Sequence, residues 1–537
     1  MRKSSHRRPS YTKRVELVRG AVSLAFLCLL GLLIRYQVLG PAQSDRFVEP
    51  AFHQRYLGVP VALSRGNILD RHGVPVHYPV WENALARISP GGGHGEAVAQ
   101  KIAREASAEE IRKALLGRDE DGLAVIPEEI RYGPYSLARH VVGYVRTNAY
   151  LNPRDNVGEA GLEKWFQETL SGGYPASAGV VLTGEGAAMP GAGIRVVPPL
   201  DRPPDLWTTL DISIQRVVED VLDETGVTKG AAVVLDVRTG EVLAMASRPD
   251  YDQNHPERHM GDPDAPFVNR AISAFPPGSV WKTVVAALAL DRGYVSEEEK
   301  FFCEGSIKVG DRVISCGSRV TGHGEVTLKE ALAFSCNSAL IQCAQRIPAS
   351  ELVDFAREAG FGRKTELELP EEAPGVLPDP YGMYLGDKAN FAIGQGYLSV
   401  TPIQIASFYR AVVDGGIWKS PELILGSVSH SSRLFSEETA KTLQSALLLA
   451  TRAGTGQAAY IEGLGSAGKT GTAETGRHQG KPHAWFAGWA PLIAPKYVIV
   501  VFVEEGGDGP GVAAPIFRGI AERLLRPDTH PGSPSGI

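Results

Sequence analysis

The chain has 537 residues, 43% apolar and 22% charged, which is typical of a large folded protein of three or four units rather than a disordered one. Its 55 Lys and Arg against 61 Asp and Glu give a formal net charge of −6, which argues against a nucleic-acid binder held by phosphate contacts. Five cysteines are too few for a disulfide scaffold.

Residues 1–19 carry seven basic side chains and one acidic side chain, and residues 20–34 carry no charge. Tyr36, Val38 and Leu39 extend this apolar run, so we predict a cytoplasmic basic tail over 1–19 and an uncleaved membrane anchor over 20–39. A cleaved signal peptide is the first alternative, but Pro41 is a poor neighbour for cleavage. A buried core helix is the second, and it leaves the basic flank unexplained. The anchor predicts a single-pass membrane protein, with the rest of the chain outside the cytoplasm.

Residues 40–204 are rich in Gly and Pro, with helical patterns near 96–116 and 161–170. Clustered prolines at 198–205 disfavour both helix and strand, which indicates a linker. We therefore predict one domain over 40–204 and a second over 205–526, followed by a disordered Pro/Gly/Ser-rich tail over 527–537.

The second domain opens with an amphipathic helix for which Asp211 is the N-cap. Apolar runs at 231–237 and 241–247 flank a short turn and predict a hairpin. Further strands are expected at 467–474, 484–490 and 497–504, then a helix at 515–525. One sheet is thus built from both ends of the domain, with a helical middle inserted between its second and third strands.

The first motif with chemical meaning is Ser279-Val280-Trp281-Lys282, which follows two prolines and a glycine and precedes an apolar helical run. Ser279 is expected in the first helical turn, with the Lys282 amine one turn away on the same face. A serine can act as a nucleophile if such a lysine accepts its proton. Alone the pattern is weak, because an ordinary helix start gives the same letters.

Two further motifs follow in order. Ser335-Cys336-Asn337 is the one S-x-N in the chain, and by itself it also fits a helix cap. Lys469-Thr470-Gly471-Thr472 lies in a predicted strand, where Gly471 indicates close approach of another backbone or a ligand. Together, S-x-x-K, S-x-N and K-T-G mark serine acyl-transferring enzymes that bind penicillin.

Each residue then has an expected role. Ser279 attacks a carbonyl and Lys282 takes its proton, while Ser335 and Asn337 relay a proton to the leaving amine and hold the substrate amide. Lys469 adds a positive field that keeps Lys282 neutral, and the hydroxyls around Gly471, on Thr470 and Thr472, bind a substrate carboxylate. The backbone N–H groups of Ser279 and Thr472 form an oxyanion hole.

The chain at this point resembles a class B penicillin-binding protein, a peptidoglycan D,D-transpeptidase. The shared segments begin at Ser64 (SRGNILDRHG), Gly158 (GEAGLEKWFQETLSG), Gly230 (GAAVVLDVRTGEVLAMASRPDYD) and Ala392 (AIGQGYLSVTPIQIA), besides the three motifs. The resemblance implies an α+β, serine penicillin-recognising fold: a five-stranded antiparallel sheet flanked by helices, with an N-terminal pedestal domain over 40–204. The implied substrates are stem peptides ending in D-Ala-D-Ala, with β-lactams as inhibitors. The implied partner is a polytopic membrane glycosyltransferase, and no cofactor is implied. The implied location is the plasma membrane of a bacterium.

Other penicillin-interacting classes fit less well. A class A penicillin-binding protein would carry a glycosyltransferase domain, whose acidic motif is missing between the anchor and the linker. A β-lactamase would need a water-activating glutamate; Glu368, Glu371 and Glu372 follow Ser335 at a suggestive distance, but no Leu-Asn follows them. A β-lactam sensor or a wall-synthesis scaffold is the non-enzymatic alternative, and a sensor usually has a cytoplasmic output domain.

Metal chemistry is not expected. His255 and His259 have the spacing of a zinc pair, but Pro256 interrupts the required helix. His323, between two glycines, is interpreted as a turn residue. A two-residue turn at Val309-Gly310 would place Cys303 opposite Cys316, so a disulfide and a pair of buried thiols are equally open. Cys336 is interpreted as a small packed residue and Cys28 lies in the anchor.

Overall fold

The computed structural model describes residues 11–37, 55–89, 98–103, 123–147, 156–185, 189, 194–317, 321–475 and 480–526. The chain forms two compact units, each built from separated stretches. One comprises Met1–Ala62, Trp81–Glu128 and Ala176–Pro198, and the other comprises Leu63–Val80, Glu129–Pro175 and Pro199–Ile537. Parts of the predicted pedestal domain therefore belong to the same unit as the residues that follow it. The predicted boundary at residue 204 stays a prediction.

The N-terminal helix α1 spans Tyr11–Gln37 and, at about 1.5 Å per residue, is roughly 40 Å long. Its apolar side chains, such as Phe26 and Leu29, are exposed. Among the described residues this is the one helix long and apolar enough to cross a membrane, over Val15–Leu32. It starts within the predicted basic tail; residues 1–10, 38 and 39 lie outside the described part.

Short strands and helices make up the region before the large sheet. In chain order they are β1 (Tyr56–Pro60), β2 (Ile68–Leu69), β3 (Val80–Ser89), β4 (Val98–Ala103), β5 (Leu123–Ile130), α2 (Arg139–Val142), β6 (Val145–Thr147), β7 (Asn156–Gly158), α3 (Gly161–Trp165), α4 (Gln167–Leu170), β8 (Ser177–Val181), β9 (Arg195–Val197) and β10 (Leu206–Trp207). They form sheets of order β1-β8-β9 and β4-β3-β5, an antiparallel β6-β7 pair and a parallel β10-β2 pair. The helical pattern at 161–170 is confirmed by α3 and α4.

The prediction of a helix near 96–116 is wrong over residues 98–103, the part of this range that the structure describes. Residues Val98–Ala103 form strand β4, which pairs with β3, and 104–116 lie outside the described residues. The alanines and charged residues of this stretch favour helix locally, but cross-strand pairing overrides such a weak preference.

A buried ion cluster holds part of this region together. Glu163 accepts a hydrogen bond from Arg65 Nε at 2.5 Å, from Arg131 Nε at 2.6 Å and from the Tyr132 hydroxyl at 3.1 Å. Although burial raises the pKa of Glu163, the charges of Arg131 and Arg65 hold it below its ordinary value. The carboxylate therefore stays ionised, which fixes the SRGN segment to α3.

The second predicted domain begins with a well-capped helix. Asp211 accepts hydrogen bonds from Ser213 N at 3.0 Å and Ile214 N at 3.3 Å, as its N-cap position predicts. The following elements, in chain order, are α5 (Ile212–Glu224), β11 (Gly230–Asp236), β12 (Val242–Arg248), α6 (Lys282–Asp291), β13 (Lys300–Cys303), β14 (Ser306–Val309), β15 (Arg312–Ser315), β16 (Gly324–Thr327), α7 (Leu328–Ala333), α8 (Asn337–Arg346), α9 (Ala349–Glu358), α10 (Leu385–Ala392), α11 (Pro402–Val413), β17 (Ile417–Lys419), β18 (Ser431–Arg433), α12 (Glu437–Arg452), β19 (Ala467–Ala473), β20 (His483–Ala490), β21 (Tyr497–Val503) and α13 (Ala514–Leu525).

The main sheet has five strands in the order β12-β11-β21-β20-β19, all antiparallel. The predicted hairpin, the three later strands and the last helix all match within two residues. Residues 527–537 lie outside the described residues.

Both faces of the sheet are buried. On one face, side chains such as Val234 and Phe486 pack with Val218 of α5 and Phe517 of α13. On the other, side chains such as Trp485 share a core with the helices of the inserted middle. Edge strand β19 carries the third motif, and the helices on this second face carry the first two.

Candidate active site

Ser279 lies in a 3-10 turn, Gly278–Trp281, that runs directly into α6. The turn is anchored on both sides: Trp281 is buried against Phe361 and Phe391, while the Tyr409 hydroxyl donates to Val280 O at 3.0 Å. Ser279 itself is half-buried. The predicted first-turn placement is therefore met by a tighter 3-10 turn, with Lys282 at the first position of the α-helix.

Lys282 joins the first motif to the second. Its side chain is fully buried, and its Nζ donates to Ser335 O at 2.8 Å, Ser335 Oγ at 3.1 Å and Asn337 Oδ1 at 2.5 Å. Burial lowers the pKa of Lys282 to about 8. An amine with such a pKa is partly neutral near physiological pH and is able to exchange protons there.

The backbone at Ser335 is bent in an unusual way. Ser335 has a φ of 58°, in the left-handed region that favours glycine. Its N–H donates to Leu332 O at 3.2 Å and the next N–H, of Cys336, donates to Ala331 O at 2.8 Å. These are the two bonds of a Schellman motif, with serine where glycine is usual. The sharp turn aims both Ser335 and Asn337 at Lys282.

Asn337 starts helix α8 and is held from the other side. Its Nδ2 donates to Ser315 O at 2.8 Å and its backbone N–H donates to Cys316 Sγ at 3.1 Å. The amide is thereby oriented with Oδ1 toward Lys282, and the end of β15 becomes part of the support for the second motif.

The third motif brings a second buried amine. Lys469 is fully buried, and its Nζ donates to Thr470 O at 3.1 Å. Burial lowers its pKa well below the ordinary value, and the charge of Lys282 lowers it further. Two buried amines that repel each other favour a state in which one of them is neutral.

Gly471 and Gly278 allow the third motif to approach the first. A Cβ on Gly471 would lie 2.9 Å from Pro277 O, and one on Gly278, whose φ is 57°, would lie 2.6 Å from Thr472 O. The predicted close approach at Gly471 is thus confirmed. Thr472 is exposed and its Oγ1 accepts from Gly509 N at 3.2 Å, which places a reachable hydroxyl beside the Ser279 turn.

Two supporting residues were not found from the sequence. Thr455 Oγ1 lies 2.8 Å from Thr470 Oγ1, and Thr455 N donates to Ala333 O at 3.1 Å, so Thr455 links β19 to α7. Gly394, at a φ of 74°, accepts from Gly278 N at 2.9 Å through its carbonyl. Thr455 has no sequence signal of its own, whereas the AIGQG segment does contain Gly394.

The carboxylates considered for a β-lactamase have other partners. Glu371 accepts from Gly161 N at 3.2 Å, and Glu372 accepts from Thr365 N at 2.5 Å and from the Thr365 hydroxyl at 2.6 Å. Burial raises the pKa of Glu368 to about 7. These contacts give Glu371 and Glu372 a structural role in the loop that precedes α10.

His255 and His259 each have another partner. His259 Nε2 accepts a hydrogen bond from Asp252 N at 3.0 Å, and His255 Nδ1 lies 3.2 Å from Glu257 Oε1. The predicted turn at Val309-Gly310 is wrong, because β14 and β15 pair Val309 with Arg312 and the turn is Gly310-Asp311. Cys303 and Cys316 are free thiols.

His323 is more than a turn residue, since its Nδ1 lies 3.5 Å from each of the sulfurs of Cys303 and Cys316. Cys336, interpreted from the sequence as a packing residue, adds a third sulfur to the same cluster. The described residues therefore include a group of four side chains of metal-ligand type that the sequence analysis did not predict.

This chain is similar to known proteins and solved structures along most of its length. The peptidoglycan D,D-transpeptidase FtsI of Escherichia coli K12 is 29% identical over 568 residues, covering 96% of this chain and 91% of that protein. A solved chain from a peptidoglycan synthase complex, described as coordinating polymerization and crosslinking, has a TM-score of 0.72 at 27% identity and covers 95% of this chain and 98% of that one. Penicillin-binding protein 3 of Mycobacterium tuberculosis, solved with aztreonam, has a TM-score of 0.64 at 26% identity, covering 89% and 98%.

These similarities confirm the predicted class B resemblance and the predicted α+β fold with a five-stranded antiparallel sheet. Residues 230–522, more than half of the chain, match the family described as the penicillin binding protein transpeptidase domain. That stretch contains all three motifs that converge on Lys282. The chain belongs to the penicillin-binding protein transpeptidase family.

Proposed function

We propose that this chain is a peptidoglycan D,D-transpeptidase that cross-links stem peptides through an acyl-enzyme on Ser279. One observation carries the proposal: the fully buried Lys282 amine, one turn from Ser279, contacts both Ser335 and Asn337. The name of the Escherichia coli relative supports the same chemistry and the same polymer.

In the first half-reaction, Ser279 Oγ attacks the carbonyl of the penultimate D-Ala. The hydroxyl proton passes to neutral Lys282. The Ser335 hydroxyl, 3.1 Å from Lys282 Nζ, then hands its proton to the departing amine and takes a proton from Lys282 in return, which leaves Lys282 neutral again. The amide bond breaks as an ester forms on Ser279, and free D-Ala leaves. Asn337 holds the amine of Lys282 and the amide of the substrate in register.

The third motif supplies substrate recognition. The exposed Thr472 hydroxyl binds the terminal carboxylate, and the negative charge of that carboxylate favours the protonated form of Lys469 in the same motif. Thr470 is 97% buried and bonded to Thr455, so its contribution is to orient β19. Gly471 keeps the strand close enough for the N–H groups of Ser279 and Thr472 to stabilise the developing oxyanion.

In the second half-reaction, an amine on a neighbouring stem peptide attacks the Ser279 ester and takes the acyl group, which leaves a cross-link and free enzyme. A β-lactam has the shape of the acyl-D-Ala-D-Ala terminus. It opens on Ser279 in the same way, but its leaving group stays attached and blocks the acceptor, so the adduct persists.

The same proposal places the protein in the bacterial plasma membrane. Helix α1 is the anchor, the basic N-terminus is cytoplasmic under the positive-inside rule, and the catalytic region lies outside. A polytopic glycosyltransferase that makes the glycan strand is the proposed partner. The solved synthase complex, whose matched chain covers 95% of this one, supports that pairing.

The test is intact-mass kinetics of the full chain in detergent micelles, mixed with benzylpenicillin, with Ser279→Ala as the matched control. We expect a stable mass increase of one penicillin in the wild type and none in the control. Addition of a D-Ala-D-Ala stem peptide and an acceptor amine should yield a cross-linked dimer and free D-Ala.

Three outcomes contradict the proposal. A transient adduct with rapid penicillin hydrolysis identifies a β-lactamase. The absence of an adduct in a folded wild-type protein identifies a non-enzymatic scaffold or sensor. An adduct that still forms in Ser279→Ala shows that another residue is the nucleophile.

A further inference from the structure

Four metal-ligand side chains meet directly behind the second motif. They are Cys303, Cys316, His323 and Cys336, and their donor atoms all lie within 4.8 Å of one another. Cys316 Sγ lies 3.5 Å from both Cys336 Sγ and His323 Nδ1, and Cys303 Sγ lies 3.5 Å from His323 Nδ1. The three cysteines are buried and the histidine is half-buried. None of the four takes part in the proposed transpeptidation.

The spacing fits a tetrahedral metal. Zinc bonds of about 2.3 Å to sulfur and about 2.0 Å to nitrogen put neighbouring ligand atoms roughly 3.4 to 3.8 Å apart. A disulfide would bring one pair of sulfurs to about 2.05 Å and leave the third thiol and the imidazole without a partner in the bond. Three thiolates and one imidazole are also the soft donors that select zinc over magnesium or calcium.

We propose that Cys303, Cys316, His323 and Cys336 bind one Zn²⁺ in a closed, structural Cys₃His site. A closed site has no open position for substrate, so the metal has no role in bond making or breaking here. Its function is to join parts of the fold.

The ligands come from four separate segments. Cys303 ends β13, Cys316 follows β15, His323 precedes β16, and Cys336 lies between α7 and α8. Among them only β13 and β16 pair with each other, so the β14-β15 hairpin and the α7-α8 turn are not fastened to that pair by strand hydrogen bonding. One metal ion would cross-link all four segments. Such a cross-link stabilises a region whose strands and helices are short.

The proposed zinc site affects catalysis by holding the residues of the second motif in place. Cys336 stands between Ser335 and Asn337, and Cys316 Sγ accepts the N–H of Asn337 at 3.1 Å. Ser335 is held at a φ of 58°, which serine adopts only when its surroundings impose it. A metal bound to the very next residue supplies that constraint. Cys316 and Cys336 are therefore positioning residues for the pair that contacts Lys282.

The first experiment measures metal content. The full chain, purified in detergent with a reductant and no chelator, is equilibrated with Zn²⁺, desalted and analysed by elemental mass spectrometry. We expect one zinc per chain in the wild type and less than one fifth of that in Cys303→Ser and His323→Gln. Cys343→Ala removes another buried free thiol, outside the cluster, and should keep one zinc.

Three results would overturn the site: wild type without stoichiometric zinc, full zinc in both ligand variants, or iron or copper bound in preference to added zinc. Alkylation of a separate sample, purified without reductant and then treated with chelator and denatured, provides a check on the disulfide. Five modified thiols agree with the proposal, and three identify a disulfide instead.

A second experiment avoids variants that fail to fold. Replacement of zinc by Co²⁺ in the wild type should give thiolate-to-metal charge-transfer absorption and the strong visible bands of a tetrahedral site. Weak octahedral bands would contradict the ligand set. Ser279→Ala should bind zinc and cobalt as the wild type does, so these readouts stand even if the proposed transpeptidase activity fails.

The positioning role is tested by acylation. Zinc removal with a chelator should slow penicillin acylation of Ser279 at least tenfold, and added Zn²⁺, but not Mg²⁺, should restore it. Unchanged acylation in zinc-free protein would refute the link to the second motif. Circular dichroism on the same samples shows whether the metal-free chain keeps its fold.

Discussion

Lys282 Nζ and Asn337 Oδ1 lie 2.5 Å apart, a contact that joins two motifs separated by 55 positions in the chain. The amine is fully buried, and Ser335 and Asn337 supply its described hydrogen bonds. The proton state of Lys282 is therefore set by the protein, and the pH dependence of acylation should report it.

Acylation should rise with pH through the pKa of Lys282, about 8. The neutral amine is the proton acceptor, and its fraction grows about tenfold per pH unit well below the pKa. Second-order rate constants for penicillin, measured from pH 6 to 9.5, should climb and then level off. Lys282→Arg keeps the cation but offers no base, so it should lose at least a hundredfold in rate. A flat wild-type profile would contradict the scheme.

Replacing Lys469 by Met should slow acylation without moving the midpoint of that profile. Burial and the charge of Lys282 both lower the pKa of Lys469, whereas burial is what lowers the pKa of Lys282, so Lys282 carries the charge of the pair and its pKa does not depend on the Lys469 amine. We expect slower acylation at pH 7 and at pH 9 alike, because the third motif loses its amine, and a shifted midpoint would contradict this assignment. The exposed Lys441→Met is the matched control and should leave the curve in place.

Ser335→Gly should be more stable than Ser335→Ala by about 1 kcal/mol, because glycine adopts a positive φ without the steric cost that alanine meets. Both variants lose the hydroxyl near Lys282 and should acylate slowly. Chemical denaturation gives the stability difference and intact mass gives the rate. Equal stability of the two variants would mean that the turn is relaxed in solution.

Gly471→Ala should lower stability by about 1–3 kcal/mol, since the new methyl group meets Pro277 O and the Trp485 Cβ at 2.9 Å. The strand must move away from the Ser279 turn, so acylation should fall as well. Gly382→Ala meets no atom within 4 Å and serves as the control. Wild-type acylation in Gly471→Ala would show that the strand spacing is not critical.

Two kinds of feature could be predicted from the sequence: helix caps, turns and strands that depend on neighbouring residues, and motifs with a known order and spacing. Asp211 as an N-cap, the hairpin around Thr239 and the strand of the third motif all follow from short-range chemistry. Strand β4 was predicted as helix, because its pairing with β3 is a tertiary effect that no local pattern contains.

The active site shows the same division. The three motifs could be identified from their order, whereas Thr455, which bonds to Thr470, has no distinguishing neighbour. The cysteine–histidine cluster was missed because its ligands span 33 positions and meet only when β13, β16 and α8 pack. Reading Cys303 and Cys316 as cross-strand partners also assumed a turn that lies one residue further on.

The way Leu206 is packed has a consequence for fragment production. Leu206 pairs in parallel with Ile68, and both belong to one buried core with Leu162 and Leu210. A recombinant fragment cut at the linker, from residue 205, would lose Ile68 and Leu162 and leave their apolar neighbours in water. Such a fragment should aggregate or require refolding aids, whereas one that starts before residue 63 keeps the core closed. The residues before 205 that complete this core are therefore part of the smallest fragment that should fold, although they contain none of the three motifs.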